Sequence, residues 1–388
     1  MKLVDRRQCT GCFACRAVCP AGCIQVEEDE LGNPYPEIDP VSCRECGLCG
    51  RVCPEQCGME FREIQQAYAV WSLDAAGRKR SASGGAAAEF YAEAIDQGWL
   101  ICGVAYQDEF RAVHILSNEK KDIEAFRQSK YVYSEMTDIY EGIRIALKEQ
   151  KKVLFISLPC KVAGLKSWLR GNEENLLTVD IICHGTPSCH LLQEHIRNMA
   201  DISGGCELGF REENEFRFWL RNHEGEKLYC RTGRTDTYLA AFLEGLDYRA
   251  SCYQCKYARP ERIADLTIGD FWGLGSVVPF DHPYTGSVSA VMINSEKGRV
   301  FFEQCKDRLF AEERPVEEAV RGNAQLNSPT PEHRARKEFE EVYGTAGFEQ
   351  AVKACLADEI RQERKTLAKR RIRAGLRTAA GVFIRKYR

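Results

Sequence analysis

No segment of this 388-residue sequence is apolar over the roughly 18–20 residues that a bilayer-spanning helix requires. Met1 leads at once into polar, cysteine-rich sequence, with no basic n-region, apolar h-region and cleavage site for export. Positive charge is not in excess either. Fifty-four Lys and Arg stand against 57 Asp and Glu, a net charge of −3, which removes any global pull toward nucleic acid. These absences predict a soluble, cytoplasmic protein. What the sequence has in plenty is cysteine, 20 residues of it. In a reducing cytosol so many thiols read as metal ligands rather than disulfides. The length predicts two or three domains, and 44% hydrophobic residues suffice for sizeable cores.

Two cysteine runs share one pattern. CTGCFACRAVCP (Cys9 to Pro20) and CRECGLCGRVCP (Cys43 to Pro54) both read C-x-x-C-x-x-C-x-x-x-C-P, 34 residues apart. This is the spacing known from bacterial two-cluster ferredoxins, in which the fourth cysteine of each run ligates the other cluster. Three thiolates at i, i+3 and i+6 of a tight loop can reach three irons of one cube. The fourth opens a helix that leads away, and the proline behind it, with a fixed φ and no N–H, redirects the chain. Cys9, Cys12, Cys15 and Cys53 are therefore expected to hold one 4Fe–4S cluster, and Cys43, Cys46, Cys49 and Cys19 the other. The rival readings are zinc knuckles and a redox disulfide pair. Zinc knuckles set two separated C-x-x-C pairs around one tetrahedral ion, which fits two complete runs poorly. Cys23 and Cys57, four residues after each last ligand, are expected to be buried structural thiols. Between the runs, Ile24 and Val26 alternate with polar residues, LGNP turns, and Tyr35 to Ile38 extends again, predicting a hairpin. Residues 1–62 thus read as a ferredoxin-like domain whose clusters supply much of its folding energy.

From Tyr68 onward the pattern is YAVWSL, the loop RKRSASGG, the helical AAAEFYAEAIDQG, then WLICGVAY, VHILS, KVLFISL and LLTVDIIC alternating with helices near 137–150 and 162–169. This predicts an α/β core with a largely parallel sheet. FRFWLRNHEGEKLYCRT reads as a hairpin, and ADLTIGDFWG and SVSAVMINS as further strands, giving α+β character to residues 63–331. Cys160 follows one strand, Cys183 another, and Cys252 and Cys255 form a C-x-x-C before a third. Strand C-termini of a parallel sheet point to one edge, where ligands gather. The four thiols can converge on a third 4Fe–4S cluster; a zinc site and simple core cysteines are the alternatives at this point.

LPCKVAGLKSWL, SKYVYS, ICHGTPS, CYQCKYARPERIADLTIGDFWG and the earlier SASGG resemble, in order, the family of coenzyme F420 hydrogenase and dehydrogenase beta subunits. That family is often fused to a two-cluster ferredoxin module, as here. The resemblance spans about residues 68–294. It implies an FAD-binding domain with its own 4Fe–4S cluster close to the flavin, and Cys160, Cys183, Cys252 and Cys255 match the family's cysteine positions. SASGG offers small residues ahead of a helix N-terminus, where backbone N–H groups can approach a phosphate, and Arg78, Lys79 and Arg80 add charge. On its own the motif also reads as a solvated turn. With the resemblance, Ser83, Gly84 and Gly85 become expected flavin contacts, with Ser129, Lys130 and Tyr131 beside them. Lys130 is a candidate to stabilise a reduced, anionic flavin, or else a surface charge. His184 is a candidate proton donor or a hydrogen-bonding neighbour of the cluster. Asp270 is expected to brace the cofactor loop, and Trp272 to belong to the core.

A flavin trades electron pairs and clusters trade single electrons, so the pairing suits an enzyme joining the two currencies. The expected function is an FAD- and iron–sulfur-dependent oxidoreductase. Electrons would pass, in either direction, between a deazaflavin or other small-molecule substrate and a ferredoxin-like or other redox protein. The alternatives are an electron-transfer subunit that feeds a partner enzyme without a substrate of its own, and a zinc-bound scaffold. Cys102, Cys189, Cys206, Cys230, Cys305 and Cys355 lack ligand spacing and are assigned to packing. Asn323–Pro331 reads as a linker, and residues 332–388 as a basic helical tail. Eleven of the last 28 residues are Lys or Arg. Ile372, Leu376, Ala380, Phe383 and Tyr387 share one face there, which suits a membrane surface, an acidic partner or a solvated tail.

Overall fold

A computed structural model describes residues 2–136, 138–199, 205–212 and 214–386, with side chains beyond 370 described only at Ile372. The N-terminal unit contains the expected hairpin, β1 (Ile24–Glu28) against antiparallel β2 (Pro34–Ile38), with Ile24 opposite Ile38. The Asp29 carboxylate closes its turn by accepting from the backbone N–H groups of Leu31 and Asn33. The tip does not end in solvent. Leu31 is buried among Leu191, Leu192 and Leu239 of the larger body, and Ser188 donates to its carbonyl.

The larger body is built on a nine-stranded mixed sheet. Its strands are β3 (Gln66–Ser72), β4 (Leu100–Gln107), β5 (Arg111–Ser117), β6 (Ser134–Glu135), β7 (Val153–Ser157), β8 (Leu176–Ile181), β12 (Leu266–Asp270), β13 (Ser289–Ile293) and β14 (Leu309–Arg314), in the spatial order β14-β3-β13-β12-β8-β7-β4-β5-β6. The parallel block is β12-β8-β7-β4. Antiparallel pairings add β13, β3 and β14 on one side and β5 on the other. The sheet is thus less parallel than the alternation of strands and helices predicts, because both ends of the chain's β segments return as antiparallel neighbours. β7 (VLFIS) is buried at every position, as a central parallel strand covered on both faces must be. One face carries the helix Ala86–Asp96 with Phe301 and Phe302. The other carries Ile139–Lys148 and Pro159–Leu169, packed with Cys12 and Val52 of the N-terminal unit.

A separate three-stranded sheet orders β11 (Lys227–Thr232), β10 (Glu215–Arg221) and β9 (Glu207–Glu212), so the hairpin expected over FRFWLRNHEGEKLYCRT is present. The segment 332–360, read above as the start of a basic tail, instead lays one apolar face into the core. Phe339, Phe348, Val352 and Leu356 are fully buried against the helices Cys189–Met199 and Thr237–Glu244. Its acidic and basic side chains hid a buried apolar face. Asn323–Pro331 is likewise no free linker: Asn323 is buried, and Gln325 and Thr330 both bond to His184. Ile372 is exposed; Leu376, Ala380, Phe383 and Tyr387 lie outside the described side chains. Among the described residues no helix is long and apolar enough to cross a membrane.

Candidate functional site

The C-terminal ends of β7, β8 and β12 meet at one edge of the sheet and open on a cavity of about 260 Å³. Ligand pockets start near roughly 300 Å³, so this is room for a ring system with its remainder lying toward the mouth. Ser83, Gly85, Ser129, Lys130, Tyr131, His184 and Asp270 all line it, as do Cys183, Arg127, Phe216 and Trp272. The helix Ala86–Asp96 starts at the wall. Gly85 is its N-cap, with φ +93 and no side-chain cap, so the first backbone N–H groups remain free for an anion. Two buried polar atoms of wall residues, Gln128 Oε1 and Asp270 Oδ1, have no partner within the protein. These are the acceptors that a bound ring with N–H groups would satisfy. The residues present therefore fit a flavin.

Several expected roles change. Lys130 is neither a surface charge nor a cation aimed into the cavity. It is half-buried, and its Nζ donates to the carbonyls of Ala125 (2.8 Å) and Arg127 (2.6 Å), so it braces the loop that forms the rim. Burial lowers its pKa to about 7. Gly84 does not line the cavity. A Cβ there would collide with the carbonyl oxygen of Val70 and lie 2.7 Å from the Ser289 nitrogen, so it is a packing glycine. Arg78 stacks on Trp71 and donates to the Ser287 carbonyl, and Arg80 pairs with Glu124; Arg127, which no sequence motif marks, lines the wall with its guanidinium held by Glu124, the Gly77 carbonyl and the Ser81 hydroxyl. Trp272 is not core: it is 54% exposed at the rim, its ring stacked 6.5 Å from Phe216. Arg211, buried beneath both rings, pairs with Asp270 at 3.1 Å.

Behind the cavity, Cys160, Cys183, Cys252 and Cys255 are brought together. Burial pushes all four thiols up. Repulsion from the others as thiolates adds to this at Cys160, Cys183 and Cys255, the last reaching about 11. Four half-buried thiols so close together hold their protons unless a cationic core replaces them, and an iron–sulfur cube is such a core. Cys160 sits in the first turn of the helix that follows β7, and Cys183 lies two residues beyond β8.

The two runs also exchange their fourth cysteines. Cys15 is buried and feels Cys12, Cys9 and Cys53. Cys19 lines a small cavity with Cys43, Cys46 and Cys49. Cys23 also lines it, its Sγ 3.4 Å from that of Cys19. Cys57 departs from the expected burial: it is exposed, near the Ser167 hydroxyl. Among the described residues no three His, Cys, Asp or Glu side chains close in tightly enough for a single metal ion; a cube with a ligand at each corner takes a wider set.

The first run docks directly on the larger body. Gly164, on the helix that Cys160 opens, leaves no room for a side chain, since a Cβ would stand 2.7 Å from Cys12 Cβ and 3.0 Å from its Sγ. Gly164→Val is expected to cost about 1–3 kcal/mol through overpacking and to slow transfer between the cavity and the ferredoxin thiols. Thermal melts and single-turnover kinetics check this; wild-type values in both would show that the contact carries nothing.

Fold and thiol constellation define an iron–sulfur electron-transfer oxidoreductase. Two segments match the halves of one family: residues 67–141 the N-terminal part of the coenzyme F420 hydrogenase/dehydrogenase beta subunit, and 150–319 its C-terminal part, while residues 8–57 match a 4Fe–4S dicluster domain. The chain belongs to the family of coenzyme F420 hydrogenase/dehydrogenase beta subunits, with an N-terminal 4Fe–4S dicluster domain. It is similar to a subunit of the F420H2 dehydrogenase of Methanosarcina mazei, 22% identical over 244 residues, covering 58% of this chain and 67% of that one. It is also similar to the coenzyme F420-dependent sulfite reductase of Methanocaldococcus jannaschii, 24% identical over 168 residues, of which this chain spans only 26% while giving 42% of its own length. Among solved structures it matches a chain of the F420-reducing NiFe hydrogenase complex from Methanosarcina barkeri, at 17% identity and TM-score 0.48, covering 72% of this chain and 92% of that one.

Proposed function

We propose that this chain is an FAD-containing iron–sulfur oxidoreductase that passes electrons between an organic two-electron substrate, of the deazaflavin class, and one-electron carriers. One observation carries the reading: Cys183 belongs to the thiol tetrad and lines the cavity as well, so a ring bound there would lie against the residues that would hold a cluster. The tetrad Cys160, Cys183, Cys252 and Cys255 would hold one 4Fe–4S cluster, and the two exchanged sets of the ferredoxin runs would hold two more. A bound flavin supplies the conversion between an electron pair and single electrons. The chain's own part is to bind and orient. Gly85 and the helix behind it offer free N–H groups to the phosphates, with Ser83 and Arg127 alongside. Asp270 and Gln128 offer acceptors to the ring. Gln325 donates through its amide to His184 Nδ1 at 2.9 Å, which leaves the neutral imidazole with its proton on Nε2. Electrons would enter or leave by the second ferredoxin set, whose Cys46 is exposed.

The test is an anaerobic preparation with iron, sulfide and flavin counted, then mixed with a reduced deazaflavin or with NADH. About twelve irons and one flavin per chain are expected, with the flavin bleached by the deazaflavin. Protein without flavin, whose turnover added FAD does not restore, would sink the reading. Clusters reduced rapidly by a ferredoxin, with no small-molecule turnover, would select the electron-transfer subunit instead.

A further inference from the structure

Two cations are buried between the first cysteine run and the sheet edge. Lys161 and Arg249 are each 1% exposed. The Lys161 ammonium donates to the Gly11 carbonyl at 2.6 Å and lies 4.0 Å from the centre of the Tyr133 ring. Arg249 donates through Nε to the Cys9 carbonyl at 2.7 Å and reaches Cys9 Sγ through Nη2 at 3.7 Å. Its guanidinium stacks 3.9 Å from the Tyr35 ring centre, and its Nη1 has no partner. Gly11 passes between them with φ +65, and a Cβ there would stand 3.0 Å from both Arg249 and Tyr133. Tyr133 and Tyr140 add hydroxyl donors to the carbonyls of Gly11 and Cys12. The loop carrying three of the first run's thiols is thus gripped by the larger body's donors.

Among the described residues no carboxylate pairs with either cation. Lys161 feels the sulfurs of Cys160, Cys12 and Cys9 and, against them, the like charge of Arg249, while Arg249 faces Cys9, the Tyr35 and Tyr133 hydroxyls and Cys252. Burying two cations without a counter-charge is costly, so the pair needs an anion on each side. A cube held by four thiolates is one, since the ligands' charge exceeds that of its core. It becomes more negative when reduced, and fixed cations beside it favour that state.

We propose that Lys161 and Arg249 are the counter-charges shared by the first ferredoxin cluster and the sheet-edge cluster, raising their potentials and setting the one-electron step between them. The inference rests on the cluster assignments above. The step moves one electron: one cluster is oxidised, its neighbour reduced, and no bond is made or broken. Lys161 and Arg249 are positioning and tuning residues, not ligands.

The test uses the full-length holoprotein. Iron and sulfide counts first establish that the clusters are present, which separates failure of this proposal from failure of the cluster reading. Potentiometric titration followed by EPR then gives each midpoint, the first cluster's signal being assigned by its loss in Cys15→Ala. Lys161→Met and Arg249→Gln are each expected to lower the first cluster's midpoint, the second ferredoxin cluster's moving least, while Lys161→Arg stays near wild type. Unchanged midpoints in Lys161→Met with full iron would overturn the proposal. Should Lys161→Met lose iron, the comparison passes to Arg249→Gln against Arg249→Lys, and equal potentials in that pair overturn it.

Discussion

Replacing Cys183 with alanine is expected to remove about a third of the iron and acid-labile sulfide while leaving two ferredoxin-type signals in place. The thiol sits just past the end of β8, within the tetrad and on the cavity wall together. Its loss opens one corner of the proposed sheet-edge cluster and interrupts the path from cavity to ferredoxin unit at its first member. Electron transfer from a two-electron donor to a one-electron acceptor should fall by at least about 100-fold, the upper end of what losing even an outer-shell partner costs a metal site. Cys230→Ala, on β11 and away from every thiol set, should keep its full iron. A Cys183→Ala protein with wild-type iron and sulfide would remove Cys183 from the cluster.

The largest effect on stability is expected at His195. Its ring is wholly buried between two carboxylates, with Nδ1 2.6 Å from Glu349 and Nε2 3.0 Å from Asp236. Asp236 also caps the helix Thr237–Glu244 by accepting from the Leu239 N–H. Tyr229 donates to Asp236 and Thr237 donates to Glu349. Burial works against a charged imidazole, but Asp236 and Glu349 outweigh it and raise the pKa from 6.5 to about 9. His195→Ala leaves two acids buried without their cation and should cost about 3–5 kcal/mol, read as a lowered urea midpoint. The pH dependence has a defined sign. A pKa raised on folding stabilises fully below about 6.5, and that contribution, about 3 kcal/mol, is lost as pH rises toward 9. The Glu349 carboxyl is held below its usual 4.5 despite burial, by His195, so its share is present above that pH and lost as acid protonates it. The network should therefore be strongest between about pH 4.5 and 6.5. A urea midpoint with the same pH profile in wild type and His195→Ala would dismiss this account.

His195 was invisible in the sequence because nothing local marks it. It lies on a helix of ordinary amphipathic pattern, and its partners are 41 and 154 residues away. The same holds for Lys161 and Arg249. Lys161 is adjacent to a candidate ligand in LPCK, a signal that could have drawn notice, but only docking against Gly11 shows that its charge is buried. Lys130 lies on the cavity wall, as its motif suggests, but the fold turns its ammonium onto the carbonyls of the loop it brackets. Trp272 was expected inside because large aromatics usually bury, yet the rim of a cavity is where one remains exposed.

What the sequence determined by itself is the chemistry of its thiols and the order of its elements. Ligand spacing on a tight loop is a local property, so both expected cysteine sets, with Cys19 and Cys53 exchanged, are read from the repeated run alone. Strand periodicity placed the candidate ligands Cys160 and Cys183 at strand ends for the same reason. Tertiary structure alone decided how these parts face one another. It brought Cys252 and Cys255 to the edge where β7 and β8 stop and opened a cavity on the same side. It also folded residues 332–360 back onto the core, where their buried apolar face meets the helix that carries His195. Such arrangements depend on contacts between residues far apart in the chain, and on cations and acids that become significant only once water has been excluded from between them.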